Sequence, residues 1–250
     1  MKKLLALSLS VALLGAGCST TPVDSSATGT TPVTGTQNGC TALASDCSNP
    51  FFPTKEGFAI DYKTSFGGSV GTYKMRIASA QDDKLTLVYE FPEDLKIEQN
   101  LTCEAGLLKA LGYVDFGNSA AGKVDLETKS ADGSFLPPSL DIGTTWDANF
   151  VVEAKPQGGV LAEAGITSML QTIKTKNKVL GKESVTVAAG TFEAYKVEQT
   201  VDITVTIAGT ATTPIKATSY AWWAKDVGMV KSSSDIEGTA SSIEATKIYR

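Results

Sequence analysis

The chain has 250 residues, 42% hydrophobic and 20% charged, with 22 Lys and Arg against 27 Asp and Glu, a net charge of −5 and no histidine. Ordinary globular proportions exclude wholesale disorder, and the missing histidine removes the commonest general base, metal ligand and triad member. An acidic balance without a Lys/Arg run argues against a nucleic-acid partner, which demands a positive footprint.

Lys2 and Lys3 open the chain, and Leu4 to Leu14 is an unbroken run of apolar and small residues. That run is too short to cross a hydrocarbon core, which takes about 20 helical residues. Gly15, Ala16 and Gly17 lead into Cys18, a pattern that resembles a bacterial lipobox although Gly15 stands where leucine is usual. Residues 1–17 are therefore expected to be a lipoprotein signal peptide and Cys18 the acylated mature N-terminus. Each buried CH₂ of the acyl chains contributes about 0.8 kcal/mol, so two or three chains make a stable membrane anchor. Ser19 at the next position points to the outer membrane where the cell has one. Residues 18–50 read as the acylated cysteine followed by a flexible tether, because Thr, Ser, Gly and Pro dominate 19–39 and Asp24 is the only charge there. Nothing in that composition offsets the entropy of ordering, and a tether of about 30 residues reaches roughly 30 Å.

From residue 51 to 250 the pattern changes to period two, predicting one β-rich extracytoplasmic domain. Phe58, Ile60, Tyr62 and Phe66 alternate with Ala59, Asp61, Lys63 and Ser65. Tyr73, Met75 and Ile77 follow, then Leu85, Leu87, Tyr89 and Phe91 after the turn-like Gln81-Asp82-Asp83. Glu104 to Leu111 and Val160 to Leu170 offer short, poorly capped helices. Trp146, Ala148, Phe150 and Val152 make a further strand, and the longest run holds one parity from Tyr195 through Val197, Val201, Ile203, Val205 and Ile207. A strand of that length extends about 43 Å at roughly 3.3 Å per residue and must curve. Gly209 to Pro214 then turns the chain back into Ile215 to Ala224. Turn residues recur at Gly67-Gly68, Asp132-Gly133, Gly158-Gly159 and Gly190, as hairpins require. The expected fold is all-β: a single curved antiparallel sheet or half-open barrel of about 10–12 strands with little helix.

Beyond Cys18 the chain holds Cys40, Cys47 and Cys103, and an exported protein keeps disulfides. Cys40 and Cys47 are close along the chain and are the favoured pair, with a bridge from either to Cys103 as the competitor. Gly117 to Lys123 fits the letters of a phosphate loop, but Val124 stands where Ser or Thr must hold Mg²⁺ and the next residues alternate like a strand. A bound nucleotide is not expected. Gly67-Gly68-Ser69-Val70-Gly71 fits a serine-hydrolase elbow, yet a strand pattern follows it and no histidine base exists. A glycosidase needs two facing carboxylates, and Asp82, Asp83, Glu93 and Asp94 lie in turn-like stretches where solvated charge is the default. With no CxxC and no Asp-x-Asp-x-Asp-Gly loop, neither metal nor cofactor is expected. Tyr62, Tyr73, Trp146, Tyr195, Trp222 and Trp223 are the aromatics offered to a ligand or to the core. Adjacent Trp222 and Trp223 must point to opposite faces of a strand, and core packing is the favoured role for both.

Four segments resemble a known family. Trp222-Trp223-Ala224-Lys225-Asp226-Val227-Gly228-Met229-Val230-Lys231 is similar to the W-[YF]-A-x-x-V-G-x-V-K signature of TapB-like bacterial lipoproteins and periplasmic proteins. Val187 to Val197 resembles their V-x-x-A-G-T-F-x-x-Y-K-V hairpin, Phe52 to Gly57 their opening, and Leu140 to Trp146 their L-x-x-G-x-T-W step. Trp223 replaces the usual Tyr or Phe, and Lys225-Asp226 the frequent Pro-Gly turn. The resemblance implies an open, curved antiparallel sheet like the half-barrels of lipid and lipoprotein carriers, and no catalytic residues. Two functions are expected from these readings. One is a non-catalytic, membrane-anchored envelope lipoprotein that binds a hydrophobic ligand or lipid on its concave sheet face. The other is an envelope interaction or assembly protein with a solid core.

Overall fold

The computed structural model describes residues 46–92, 96–111, 124–236 and 238–250. The lipidation at Cys18, most of the tether, Cys40, the Gly117–Lys123 decoy and the acids Glu93 and Asp94 lie outside these residues. Within them the alternating sequence becomes strand: β1 (Ala59–Phe66), β2 (Ser69–Ala80), β3 (Lys84–Glu90), β4 (Lys96–Glu104), β5 (Leu107–Ala110), β6 (Val124–Gly133) and β7 (Thr145–Pro156). A single turn of helix, α1 (Gly159–Glu163), precedes β8 (Met169–Val187) and β9 (Gly190–Ile207), the two longest strands. The two-residue β10 (Thr210–Ala211), β11 (Ile215–Ala224), β12 (Gly228–Ile236) and β13 (Thr239–Tyr249) complete the chain. The all-β expectation holds. The helix expected over Glu104–Leu111 is instead the β4–β5 hairpin, and the one over Val160–Leu170 shrinks to α1 and gives way to β8. Eight residues carry too few internal hydrogen bonds to stand as a helix when a sheet edge offers a full ladder.

Every pairing is antiparallel, in the order β5-β4-β3-β2-β1-β13-β12-β11-β9-β8-β7-β6, with β10 on β9. Connections between sequence neighbours are mostly tight. Gly67 and Gly68, at φ of 54° and 88°, form the two-residue β1–β2 turn whose positive φ values match the twist of the flanking strands. Ser69 of the hydrolase-like motif therefore begins β2 and is followed by strand. Asp132-Gly133 is not a hairpin turn but the end of β6, where Gly133 opposes Ala148 at a φ of 99° and a Cβ would strike the Asp147 carbonyl.

The two outer edges of the sheet are brought together. Leu108 of β5 donates its N–H to the Leu136 carbonyl at 3.0 Å, and Phe135 N–H donates to the Leu108 carbonyl at 2.8 Å. This seam brings the expected curved sheet or half-open barrel to a nearly closed barrel of twelve strands, and it relieves two edges that would otherwise template aggregation. One residue in two then faces inward. Trp146, Ala148, Phe150, Val152 and Ala154 of β7 are all buried, as are Ile60 and Tyr62 of β1, Met75 and Ile77 of β2, and Leu85 and Leu87 of β3.

One end of this barrel is plugged. Residues 46–53, which span the expected junction of tether and domain at 50–51, pack beneath the β4–β5 turn. Buried Asn49 satisfies both ends of its amide: Nδ2 donates to the carbonyls of Gly106 (2.7 Å) and Pro137 (3.0 Å), and Oδ1 accepts from Phe51 N–H. Gly106 N–H donates to the Asp46 carbonyl, and Asp226 N–H to that of Pro50. Phe52, Phe135 and Trp223 meet as a ring cluster with centroids 5.6 to 6.5 Å apart. The disulfide is Cys47–Cys103, which corrects the favoured Cys40–Cys47 pairing. The physical reason is tertiary. The plug carries Cys47 against the end of β4, where Cys103 faces the interior, and that proximity outweighs closeness along the chain.

Candidate functional site at the open end of the barrel

At the opposite end, which carries the Gly67-Gly68 turn, α1 and the Ala208-Gly209 turn, the inner face is less covered. Phe66, Tyr73, Tyr89, Phe91, Ile97, Val205, Ile207 and Ile215 are half-buried there, whereas inward residues toward the plug are buried. The polar break in this face is a row across neighbouring strands. Asn177 Nδ2 donates to the Trp146 carbonyl, Gln199 Nε2 to Asn177 Oδ1, and Ser219 Oγ to Gln199 Oε1. Ser234 and Ser241, hydrogen-bonded at 2.6 Å, continue the row. The cavity beside Gln199, Ser219, Ser234 and Ser241 has a volume of about 60 Å³, far too small for an acyl chain.

The roomier feature is aromatic. Tyr62 and Tyr73 face each other across β1 and β2 and stack with centroids 5.0 Å apart. Tyr73 also meets Phe91 at 5.4 Å and Tyr89 at 6.2 Å. Tyr62 OH donates to the Met229 carbonyl and Tyr89 OH to Gln99 Oε1, at 2.7 and 2.9 Å. Burial pushes the phenols of Tyr62, Tyr73 and Tyr89 far above the ordinary tyrosine range, and mutual repulsion between phenolates adds to it for Tyr62 and Tyr73. The cluster is therefore uncharged at physiological pH. An open groove of about 460 Å³ lies against Tyr62, Tyr73, Phe91 and Pro92 and equally against Asp61, Thr72, Lys74, Glu90 and Thr246, so its lining is half polar. That volume falls in the range of small-molecule sites.

Of the six aromatics singled out in the sequence, the fold brings only Tyr62 and Tyr73 together at this groove. Trp223 belongs to the plug. Trp146 donates its Nε1–H to the Phe135 carbonyl at the same end, and Tyr195 meets Phe51 edge-on at 5.2 Å. Trp222 points to the outer face as its neighbour's opposite, donating to Glu183 and lying under the ammonium groups of Lys196 and Lys231. Both tryptophans are buried. Tyr89 and Phe91 were visible in the sequence only as strand periodicity. Gln99 gave no signal at all, since a glutamine between apolar positions reads equally as a slip in the pattern.

The outer face is a lattice of cross-strand ion pairs. Lys129 bridges Glu127 and Glu153 at 2.8 Å each, Lys155 lies 3.2 Å from Glu153, and Lys231 pairs with Glu244 at 3.0 Å. Hydrogen bonds from Lys129, then Ser168 and Lys155, hold the Glu153 carboxyl down at about 2. Lysines 174, 176 and 178 stand exposed along β8. Such a surface is built for water and opposes immersion in hydrocarbon, where a lipid-facing band must be apolar. Among the described residues no helix is long and apolar enough to cross a membrane, and no group of His, Cys, Asp and Glu is arranged to hold a metal ion.

The fold has counterparts among solved structures. A Bacteroides fragilis protein described as exported and as having a YmcC-like fold superposes with a TM-score of 0.54 at 15% identity, covering 81% of this chain and all of its own. A Parabacteroides distasonis protein described as a lipoprotein gives 0.53 at 15% identity, over 80% of this chain and 99% of its own. The Escherichia coli protein described as the lipoprotein YmcC scores 0.39 at 10% identity, over 77% and 85%. No curated protein matches the chain. The two first-named likenesses establish a shared barrel architecture, and the DUF3108-like family model matches residues 136–243, from the strap that closes the seam into the first half of β13.

Proposed function

We propose that this protein is a non-catalytic envelope lipoprotein, anchored through acylated Cys18, whose barrel takes an apolar ligand through its open end. The observation that carries the reading is the gradient of burial along one inner face: sealed by Phe52, Phe135 and Trp223 at one end, half-covered and aromatic at the other. Half-covered aromatic and aliphatic side chains of this kind offer a surface to hydrophobic ligands. The leader, the two structural counterparts described as exported or as a lipoprotein, and the TapB-like motifs support the compartment, and Ser19 favours the outer membrane. The acidic chain is repelled by anionic lipid, so acyl chains rather than charge hold it at the bilayer.

The second reading, an interaction protein with a solid core, is favoured by the small interior cavity beside Gln199. Photocrosslinking in cells separates the two. Benzoylphenylalanine in place of Phe91, at the groove, is expected to yield a lipid-sized adduct on irradiation, while the same group at Tyr220, on the outer face, yields none. Protein adducts alone from position 91 would favour the second reading.

A further inference from the structure

Charge is spread unevenly between the wall of the barrel and its open mouth. The β1–β2 turn with its flanks, residues 64–73, and the β9–β11 connection, residues 203–215, contain no charged residue. Residues 156–173, which carry α1 into β8, contain only Glu163. In a chain that is 20% charged, stretches of this length ordinarily hold several charges each. Val70 is 64% exposed at the first of these turns. Leu170 is 42% exposed in a groove of about 580 Å³ that it lines with half-buried Ile166 and Ile207 and with no charged residue. Glu153, opposite Leu170, is held by Lys129 and Lys155. The other exposed large apolar side chains among the described residues have charges beside them: Leu180 lies between Lys178 and Lys182, Ile142 follows Asp141, and Leu111 comes just after Lys109.

The residues that bound the three uncharged stretches are Lys63 and Lys74, Lys155 and Lys174, and Asp202 and Lys216. All but Asp202 are lysines, in a chain where acids outnumber bases. Lys63, Lys155, Lys174 and Lys216 are exposed, and their cross-strand pairs are loose where they exist: Lys74 is 3.6 Å from Asp61, and Lys216 is 3.7 Å from Asp202. Lys155 is nearer its acid, 3.2 Å from Glu153. The collar belongs to one sector of the rim. Asp235 marks the β12–β13 turn, and toward the seam the ends of β3, β4 and β6 carry Glu90, Lys96 and Asp125.

We propose that this sector seats the barrel mouth on the anionic bilayer that holds the chain's own acyl anchor, with the uncharged cap in the headgroup region and the lysines against lipid phosphates. It rests on the reading of Cys18 as the anchor and of the mouth as the ligand's entrance, and names the surface that entrance meets. A cap with almost no ionic groups loses little hydration on leaving water, and its exposed Val70 and Leu170 gain by burial at the acyl boundary. The collar complements a negative lipid surface, because lysine stems lie along apolar surface while the ammonium reaches the phosphates. The chain as a whole is acidic, so the collar orients the barrel and the acyl chains hold it. Weak affinity suffices, since the anchor keeps a bilayer within reach and makes docking intramolecular. The chain's reach permits this orientation. Asp46 lies at the plugged end, opposite the mouth, about 28 residues after Cys18. Fully extended, that length reaches about 95 Å, whereas strands as long as β8 and β9 build a barrel about 45 Å tall at ordinary tilt. With the mouth turned to the membrane, an apolar ligand passes between bilayer and barrel without crossing water.

The test uses the full acylated chain on vesicles of phosphatidylethanolamine with a minority of phosphatidylglycerol, with Cys40→Ser removing the remaining free thiol. A nitroxide is attached at Val70→Cys, at Leu170→Cys or, as an equally apolar control on the wall, at Leu180→Cys. In electron paramagnetic resonance the first two labels are expected to be several-fold more accessible to oxygen, relative to a soluble nickel chelate, than the third. Lys63→Gln, Lys174→Gln and Lys216→Gln together are expected to remove most of that difference. Deleting residues 20–39 is expected to abolish it while the chain still floats with the vesicles, because the remaining tether reaches only about 28 Å. Labels at Val70 and Leu170 as wet as the one at Leu180, on chains that float, overturn the inference and leave the ligand site standing. So does a Leu170 label that is wet on vesicles and immobilised only in intact cells, which marks a protein as the occupant. Depth that survives the tether deletion overturns the assignment of the anchoring bilayer. Chains that do not float overturn the inference and the proposed anchor together.

Discussion

Replacing Cys103 with serine is expected to lower the stability of the barrel by about 4 kcal/mol, the chain-entropy value for a disulfide closing a loop of this size. The bridge joins residues 56 apart, and the loop between them contains β1, β2, β3 and most of β4. Without it the unfolded chain regains the freedom of that whole segment, and the plug is left to Asn49, the Gly106 and Asp226 backbone bonds and the Phe52 rings. Urea unfolding of wild type and variant, each with and without reductant, measures the effect. Reductant is expected to move the wild type toward the variant and to leave the variant's midpoint in place. A loss under about 1 kcal/mol would contradict the assignment of this pair as the structural clamp.

The second large effect is expected at Trp223. Its indole is 2% exposed and wedged between Phe52 and Phe135, so Trp223→Ala removes the largest side chain of the plug and is expected to cost about 3–5 kcal/mol. Trp223→Phe is expected to cost much less, about 1–2 kcal/mol, because the indole N–H has no acceptor to lose and a ring still fills most of the space. The neighbouring Trp222→Ala supplies the contrast. That indole lies on the outer face under Lys196 and Lys231, where each cation–π contact contributes about 0.5–1 kcal/mol. Equal losses for Trp222→Ala and Trp223→Ala in thermal or urea unfolding would mean that the two faces of β11 have been exchanged.

The same pair shows how much of the fold was legible in the sequence. Period two assigns adjacent tryptophans to opposite faces whatever the topology, and β7, β9 and β11 appear where the alternation lies. Sheet closure was not legible, because the seam at Leu108 and Leu136 joins segments with no shared periodicity, one of them in a stretch that reads as a short helix. The disulfide failed for a related reason: distance along the chain says little once a plug folds back under a hairpin. Gly133 misled because a glycine beside an aspartate signals a turn, whereas here it admits the Asp147 carbonyl at close range. At the candidate site, Tyr62 and Tyr73 were named and the register of β1 with β2 makes them neighbours.

The proposed function requires one end of the barrel to be sealed by the protein and the other to be left for a ligand. Native mass spectrometry of the full chain, extracted gently from its own cells, tests it most directly. The expected result is a population heavier than the acylated polypeptide by the mass of one lipid-like molecule, which collisional activation releases intact. A single species at the acylated mass under conditions that preserve the fold would contradict it.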